Sequence, residues 1–247
     1  MTASAAPASE RIFLAIDTAD AGTAGDFATR VGGAVGGIKL GLEYFLANGP
    51  TAIRGVAAKR KLFLDLKLHD IPNTVAGGVR AVAPLAPYYL TVMAAGGPEM
   101  IRRAVAAARE GAERHGVAPA RILAVTVLTS LGEDDLERTG QRGPAAEQVL
   151  RLATMAQACG AAGAVCSPQE VELLRRECGA GFALVVPGVR PVWAPADDQK
   201  RVMTPAEAVN AGADHLVIGR PILRAADPAD AARRIAAEID EHRAAAA

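Results

Sequence analysis

The chain reads as an α/β protein built as a single (β/α)8 TIM barrel. Three observations predict this fold: eight short apolar runs, longer helical segments rich in Ala, Arg and Glu between them, and a length of 247 residues, which is common for one such barrel. The runs are Ile12–Asp17, Gly37–Leu40, Leu62–Lys67, Tyr89–Ala94, Ile122–Leu128, Gly163–Ser167, Ala183–Val189 and His215–Gly219. Most are continuously apolar instead of alternating, the pattern of parallel strands covered on both faces. Helices are expected at Ala19–Val31, Thr74–Ala83, Pro98–Arg114, Ala145–Cys159, Gln169–Cys178, Thr204–Asn210 and Pro228–Arg243. Three of these carry a start signal, because Pro98, Pro168 and Pro205 each follow a small or polar residue. An open doubly wound sheet is the alternative, but no early Gly-rich dinucleotide fingerprint supports it. No linker or shift in composition marks a second domain. Residues 12–243 are therefore assigned to one barrel domain, and residues 1–11 to a frayed, disordered tail like Ala244–Ala247.

Composition narrows the class of function. Apolar residues make up 51% of the chain, enough for a full core, so disorder is excluded. Lys plus Arg and Asp plus Glu both number 27, which gives no support to a nucleic-acid or anionic-membrane partner. Cys159, Cys166 and Cys178, at spacings of 7 and 12, fit neither a disulfide framework nor a zinc motif. They read as small core residues in a reducing compartment. No apolar run approaches the roughly 20 residues of a membrane span, and the first ten residues lack a secretory pattern. The expected location is cytoplasmic.

The stretch Lys61–Val75, KLFLDLKLHDIPNTV, carries the most information. Asp65 and Lys67 are two apart at the end of a strand, so they point to one face. Asp70 follows in the turn before Pro72, which can open a helix. Opposite charges at these positions hold each other ionised, whereas a lone charge there would be costly to desolvate. A surface ion pair is the plain alternative for this segment alone. Other strands, however, also end in polar groups: Asp17 after the first, Lys39 in the second, Thr129 and Ser130 after the fifth, Arg190 after the seventh, and Gly219 with Arg220 at the eighth. Barrel enzymes do their chemistry at these carboxyl ends.

The last two strands lead into Pro187-Gly188-Val189-Arg190-Pro191 and Ile218-Gly219-Arg220-Pro221, the usual phosphate loops of this fold. Gly219 lets backbone N–H groups approach an anion, and Arg220 can clamp its oxygens bidentately. Gln199, in the polar loop Val192–Arg201, adds an amide donor, and the loop is expected to act as a lid. Rim salt bridging by Arg220 and plain solvation of Gln199 are the alternatives.

Taken together, FLDLKLHDIPNTV, AVTVLTS, VPGVRP, DDQKRVMTP and GADHLVIGRPI resemble the orotidine 5′-phosphate decarboxylase family in order and spacing, from Ile12 to about Ile222. The resemblance implies decarboxylation of orotidine 5′-monophosphate to uridine 5′-monophosphate with no cofactor and no metal. It implies that Asp17 and Lys39 bind the ribose hydroxyls. Lys39, Asp65, Lys67 and Asp70 would form an alternating catalytic charge array in a homodimer, with Asp70 reaching into the partner's site. Ile71 and Thr74 would accompany Asp70, while Thr129 and Ser130 would contact the pyrimidine. Arg190, Gln199, Gly219 and Arg220 would hold the phosphate. The lid tip, Val192–Ala196 with Trp193, matches least well.

Two rivals share parts of this pattern. A metal-dependent sugar-phosphate decarboxylase of the same barrel type needs a carboxylate on the second strand. This chain offers Lys39 there, with Glu43 just past the strand end. A non-catalytic phosphosugar-binding barrel would need Arg220 and Gln199 but not the acids around Lys67. His69 invites a general-base reading, with rim exposure or turn packing as the alternative. The stretch Arg102–Arg114 reads as a solvated helix face.

Overall fold

In the computed structural model, residues 7–57, 60–141, 143–194 and 203–245 are described. Eight strands close into a barrel in chain order: β1 (Ile12–Ile16), β2 (Gly37–Gly41), β3 (Lys61–Leu68), β4 (Tyr89–Met93), β5 (Arg121–Val125), β6 (Gly163–Val165), β7 (Ala183–Pro187) and β8 (His215–Ile218). The expected (β/α)8 architecture is present. The helices are α1 (Ala21–Val31), α2 (Leu42–Ala57), α3 (Pro72–Val82), α4 (Gly97–His115), α5 (Glu133–Arg138), α6 (Ala145–Ala158), α7 (Val171–Cys178), α8 (Pro205–Asn210), α9 (Arg220–Leu223) and α10 (Pro228–Ala245). None is long and apolar enough, among the described residues, to cross a membrane. The chain divides into two compact units, Met1–Phe63 with Val186–Ala247, and Leu64–Val185.

In the first unit β1 pairs in parallel with β2, Phe13 opposite Gly37, and with β8, Ile12 opposite Leu216. The five residues of β1 are all buried, which is why the run shows no alternation. Phe13 packs edge-to-face on Phe63 at 5.8 Å. Gly37 makes room for that ring, since a Cβ there would lie 2.6 Å from the Lys61 carbonyl oxygen. The start of α1 is capped by Asp20, whose Oδ1 accepts from the Thr23 N–H at 2.6 Å. This bond holds the Asp20 carboxyl below the usual range.

The tail expectation needs correction at residues 8–11. Ala8–Arg11 form a 3₁₀ turn with Ala8 buried. Ser9 O accepts from the Gly36 N–H at 2.8 Å, and Glu10 pairs with Lys61 at 2.7 Å. Arg11 Nη1 donates to the Ala213 and Asp214 carbonyls at 3.3 Å. Backbone hydrogen bonds and a cation on two carbonyls tie this segment down; fraying would leave those carbonyls without their donor. Helix α2 was not among the expected helices. It is two helical pieces joined at a kink, with Gly49 at φ 69° followed by Pro50. That pair reads as a turn in sequence because each residue is poor inside a helix.

In the second unit β4, β5, β6 and β7 pair in parallel, with Tyr89 opposite Arg121, Leu123 opposite Gly163, and Gly163 opposite Ala183. Gly163 allows β6 and β7 to approach closely, because an added Cβ would lie 2.7 Å from the Ala183 Cβ. Helix α4 buries Met100, Ile101, Ala104, Ala107 and Ala108 and exposes Arg102, Arg103, Arg109 and Arg114, the solvated basic face expected. Cys159, Cys166 and Cys178 are free and buried, as expected, and burial pushes the Cys178 thiol up.

Candidate active site

In the unit Leu64–Val185, the side chains of interest gather at the end of β3. Asp65 and Lys67 share a face, and Lys67 Nζ donates to Asp65 Oδ2 at 2.7 Å. The carboxylate side chain is only 12% exposed while the lysine is 39% exposed. The acid is therefore the fixed partner, and the ammonium is the group that solvent or a ligand can reach. Asp65 Oδ1 accepts from the Thr91 hydroxyl at 2.8 Å. The same hydroxyl oxygen accepts from the backbone N–H of Lys67 at 2.9 Å. Thr91, on β4, is fully buried. Sequence reasoning missed it, because a Thr inside the run YLTVM reads as an ordinary β-branched strand residue.

Lys67 has φ 47°, one of two positive-φ residues other than glycine among the described residues. An L-residue in that region costs roughly 1–2 kcal/mol, and such conformations cluster where a side chain must be aimed. Lys67 is the penultimate residue of β3, which ends at Leu68. His69 and Asp70 are exposed beyond it. Asp70 makes no ion pair with Lys67 in this chain; its Oδ1 accepts from the N–H of Ile71 at 2.6 Å. Ile71, 66% exposed, precedes Pro72 at the start of α3, with Thr74 also exposed in the first turn. Of the expected array of Lys39, Asp65, Lys67 and Asp70, the last expected in the partner's site, this unit brings together Asp65 and Lys67. His69 lies against Gly96, where an added Cβ would come within 3.2 Å of its ring, matching the turn-packing alternative. Thr129 and Ser130 are exposed in the turn after β5, closed by the Leu131 N–H donating to Leu128 O at 2.9 Å.

In the other unit, Lys39 on β2 donates to Asp17 Oδ1 at 3.1 Å. The lysine side chain is 10% exposed and the aspartate 65%, so the burial is reversed relative to the β3 pair. Gly41 leaves space beside these charges; a Cβ there would lie 3.4 Å from Lys39 Nζ. Arg190 is buried, and its backbone N–H donates to Met203 O at 3.0 Å, closing the base of the loop between β7 and α8. Gly219 follows β8, and Arg220 opens α9. A side chain at Gly219 would press on β1, with its Cβ 3.2 Å from Ala15 O. Gln199 and most of the expected lid lie outside the described residues. Trp193 is described: its indole lies beneath the Arg234 guanidinium of α10 at 4.4 Å. It borders a groove of about 560 Å³ shared with Thr204, Glu207, Glu238 and His242. Burial, with Glu207 nearby, pushes the Glu238 carboxyl up, while the Thr204 cap holds Glu207 down. Among the described residues, none of the expected substrate residues lines that groove.

The description of the family model that matches residues 10–235 is Orotidine 5′-phosphate decarboxylase / HUMPS family. The chain belongs to this family. A curated orotidine 5′-phosphate decarboxylase from Paramagnetospirillum magneticum is 56% identical over 229 residues, covering 92% of this chain and 97% of the relative. The protein of the same name from Rhodospirillum rubrum is 54% identical, covering 92% and 93%. A solved orotidine 5′-phosphate decarboxylase from Lactobacillus acidophilus superposes with a TM-score of 0.81 at 38% identity, covering 93% of this chain and 98% of that one. The decarboxylase family resemblance read from five short motifs therefore extends along the barrel as a whole.

The positive φ at Lys67 generates a stability expectation. Glycine adopts that conformation freely and alanine does not, so Lys67→Gly should be more stable than Lys67→Ala by about 1 kcal/mol. Urea unfolding of the two variants measures the difference; equal midpoints and slopes would show that the backbone relaxes when the lysine is removed.

Proposed function

We propose that this chain decarboxylates orotidine 5′-monophosphate to uridine 5′-monophosphate in pyrimidine synthesis, without a cofactor, as a cytoplasmic homodimer. The observation that carries the reading is the 2.7 Å Lys67–Asp65 pair, in a chain with more than half its residues identical to curated decarboxylases. The substrate's C–C bond to its carboxylate breaks, CO2 leaves, and the electron pair stays on the ring carbon. That pair lies in the ring plane and has no electron sink there, so stabilisation has to be electrostatic. A fixed ammonium about 4 Å away is worth roughly 4 kcal/mol at an effective dielectric near 20. Lys67 supplies it, then gives one proton to the carbon and recovers one from water.

The remaining residues act around that step. Asp65 keeps Lys67 charged and aimed. Lys39 and Asp17 bind the ribose hydroxyls, Thr129 and Ser130 meet the pyrimidine, and Arg190, Gln199, Gly219 and Arg220 hold the phosphate. Binding energy from the phosphate offsets unfavourable contacts at the reacting carboxylate. Asp70, which caps the Ile71 N–H in its own chain and is flanked by exposed Ile71 and Thr74, completes the array in the partner's site.

The direct test is metal-free protein mixed with orotidylate, followed by loss of ultraviolet absorbance. Turnover that needs an added divalent metal would favour a metal-dependent sugar-phosphate chemistry, and nucleotide stabilisation without turnover a binding barrel. Lys67→Ala should abolish turnover while nucleotide binding persists; near-normal rates in that variant would remove Lys67 from the mechanism. Arg220→Ala should raise KM for orotidylate by at least tenfold with a smaller effect on kcat, and an unchanged KM would count against its phosphate role. Mixing inactive Asp70→Ala and Lys67→Ala proteins should restore part of the activity through hybrid dimers. Verified subunit exchange with no recovery would confine Asp70 to its own chain.

A further inference from the structure

Resting on that reading, we infer that Thr91 is a positioning residue for the decarboxylation, setting the direction of both members of the Asp65–Lys67 pair through one buried hydroxyl. A threonine hydroxyl has one proton to donate and oxygen lone pairs to accept, and here both capacities are spent on this pair. The proton goes to Asp65 Oδ1 at 2.8 Å, and the oxygen takes the Lys67 N–H at 2.9 Å. With Oδ1 held from β4, the second carboxylate oxygen is aimed at Lys67 Nζ at 2.7 Å. The bond from the Lys67 N–H also braces the residue that stands at φ 47°, a conformation that persists only where surrounding contacts over-determine it.

The geometry separates this role from ordinary strand packing. Thr91 is completely buried, so its hydroxyl must find partners in the protein, and it finds the acid and the backbone of the same functional pair. A valine at this position keeps the β-branched shape but offers neither proton nor lone pair. Asp65 Oδ1 would then lose the Thr91 donor, and the Lys67 N–H its acceptor. Serine restores the hydroxyl while removing only a methyl group. Thr91 reaches the substrate through Asp65 and Lys67, so its loss is felt in the chemical step and not in nucleotide affinity.

The experiment compares wild type, Thr91→Val and Thr91→Ser in steady-state decarboxylation of orotidylate, with thermal unfolding of all three. Losing a hydrogen bond to a charged group predicts a kcat about 10- to 100-fold lower in the valine variant. KM should stay within about threefold of wild type, and serine should bring kcat back to within about fivefold. Active wild type with an unimpaired valine variant overturns the assignment, as does a serine variant no better than valine. A valine variant whose kcat and KM both worsen, in step with a lower Tm, assigns Thr91 to folding alone and overturns it too. Wild type that leaves orotidylate untouched overturns the decarboxylase reading itself, and this proposal with it.

Discussion

An ammonium stabilises a developing carbanion only if it is already in place when the charge appears, because a flexible lysine would spend the gain on reorganisation. On the mechanism proposed for this chain, the end of β3 would meet that requirement by covalent economy. Two residues of one strand, Asp65 and Lys67, face each other across a single intervening Leu66, so no loop has to close to bring them together. The acid is the more buried of the two, and Thr91 fixes its other oxygen. The lysine can then remain partly open without losing its direction. The positive φ of Lys67 carries a local cost.

The other charged pair uses the same chemistry with the burial inverted. Lys39 is enclosed within β2, while the Asp17 side chain is largely exposed. In the same unit, Gly41 lies beside the Lys39 ammonium, and a side chain at Gly219 would press against the backbone of β1.

Much of this was legible in the chain, and the illegible parts have physical causes. The continuous apolar runs gave the eight strands to within a few residues, since burial on both faces leaves little ambiguity about type. Strand ends were read too far in β5, β6 and β7, where apolar residues continue past the last ladder hydrogen bond. The D-x-K spacing placed Asp65 against Lys67 correctly because strand periodicity dictates it. Asp70 was assigned to the partner's site by the family resemblance alone, since its spacing from Lys67 says nothing of which chain it serves. Thr91 was invisible because a buried hydroxyl and a strand-forming methyl have one sequence letter. Helix α2 was hidden by Gly49-Pro50, and the ordered turn at Ala8–Arg11 by an Ala-rich start with no periodicity.

The pairing of β1 with β8 imposes an order on synthesis. Ile12 leaves the ribosome some two hundred residues before its partner Leu216. One edge of the first strand must therefore wait unpaired until that partner has been made. The unit Leu64–Val185 is continuous in sequence and complete before that seam can be sealed, whereas the other unit is assembled from both ends of the chain. Contacts of such long separation are slow to form, and exposed strand edges are aggregation-prone in the interval. The nascent polypeptide is thus most vulnerable along β1, the strand whose five side chains are all buried once the ring is shut.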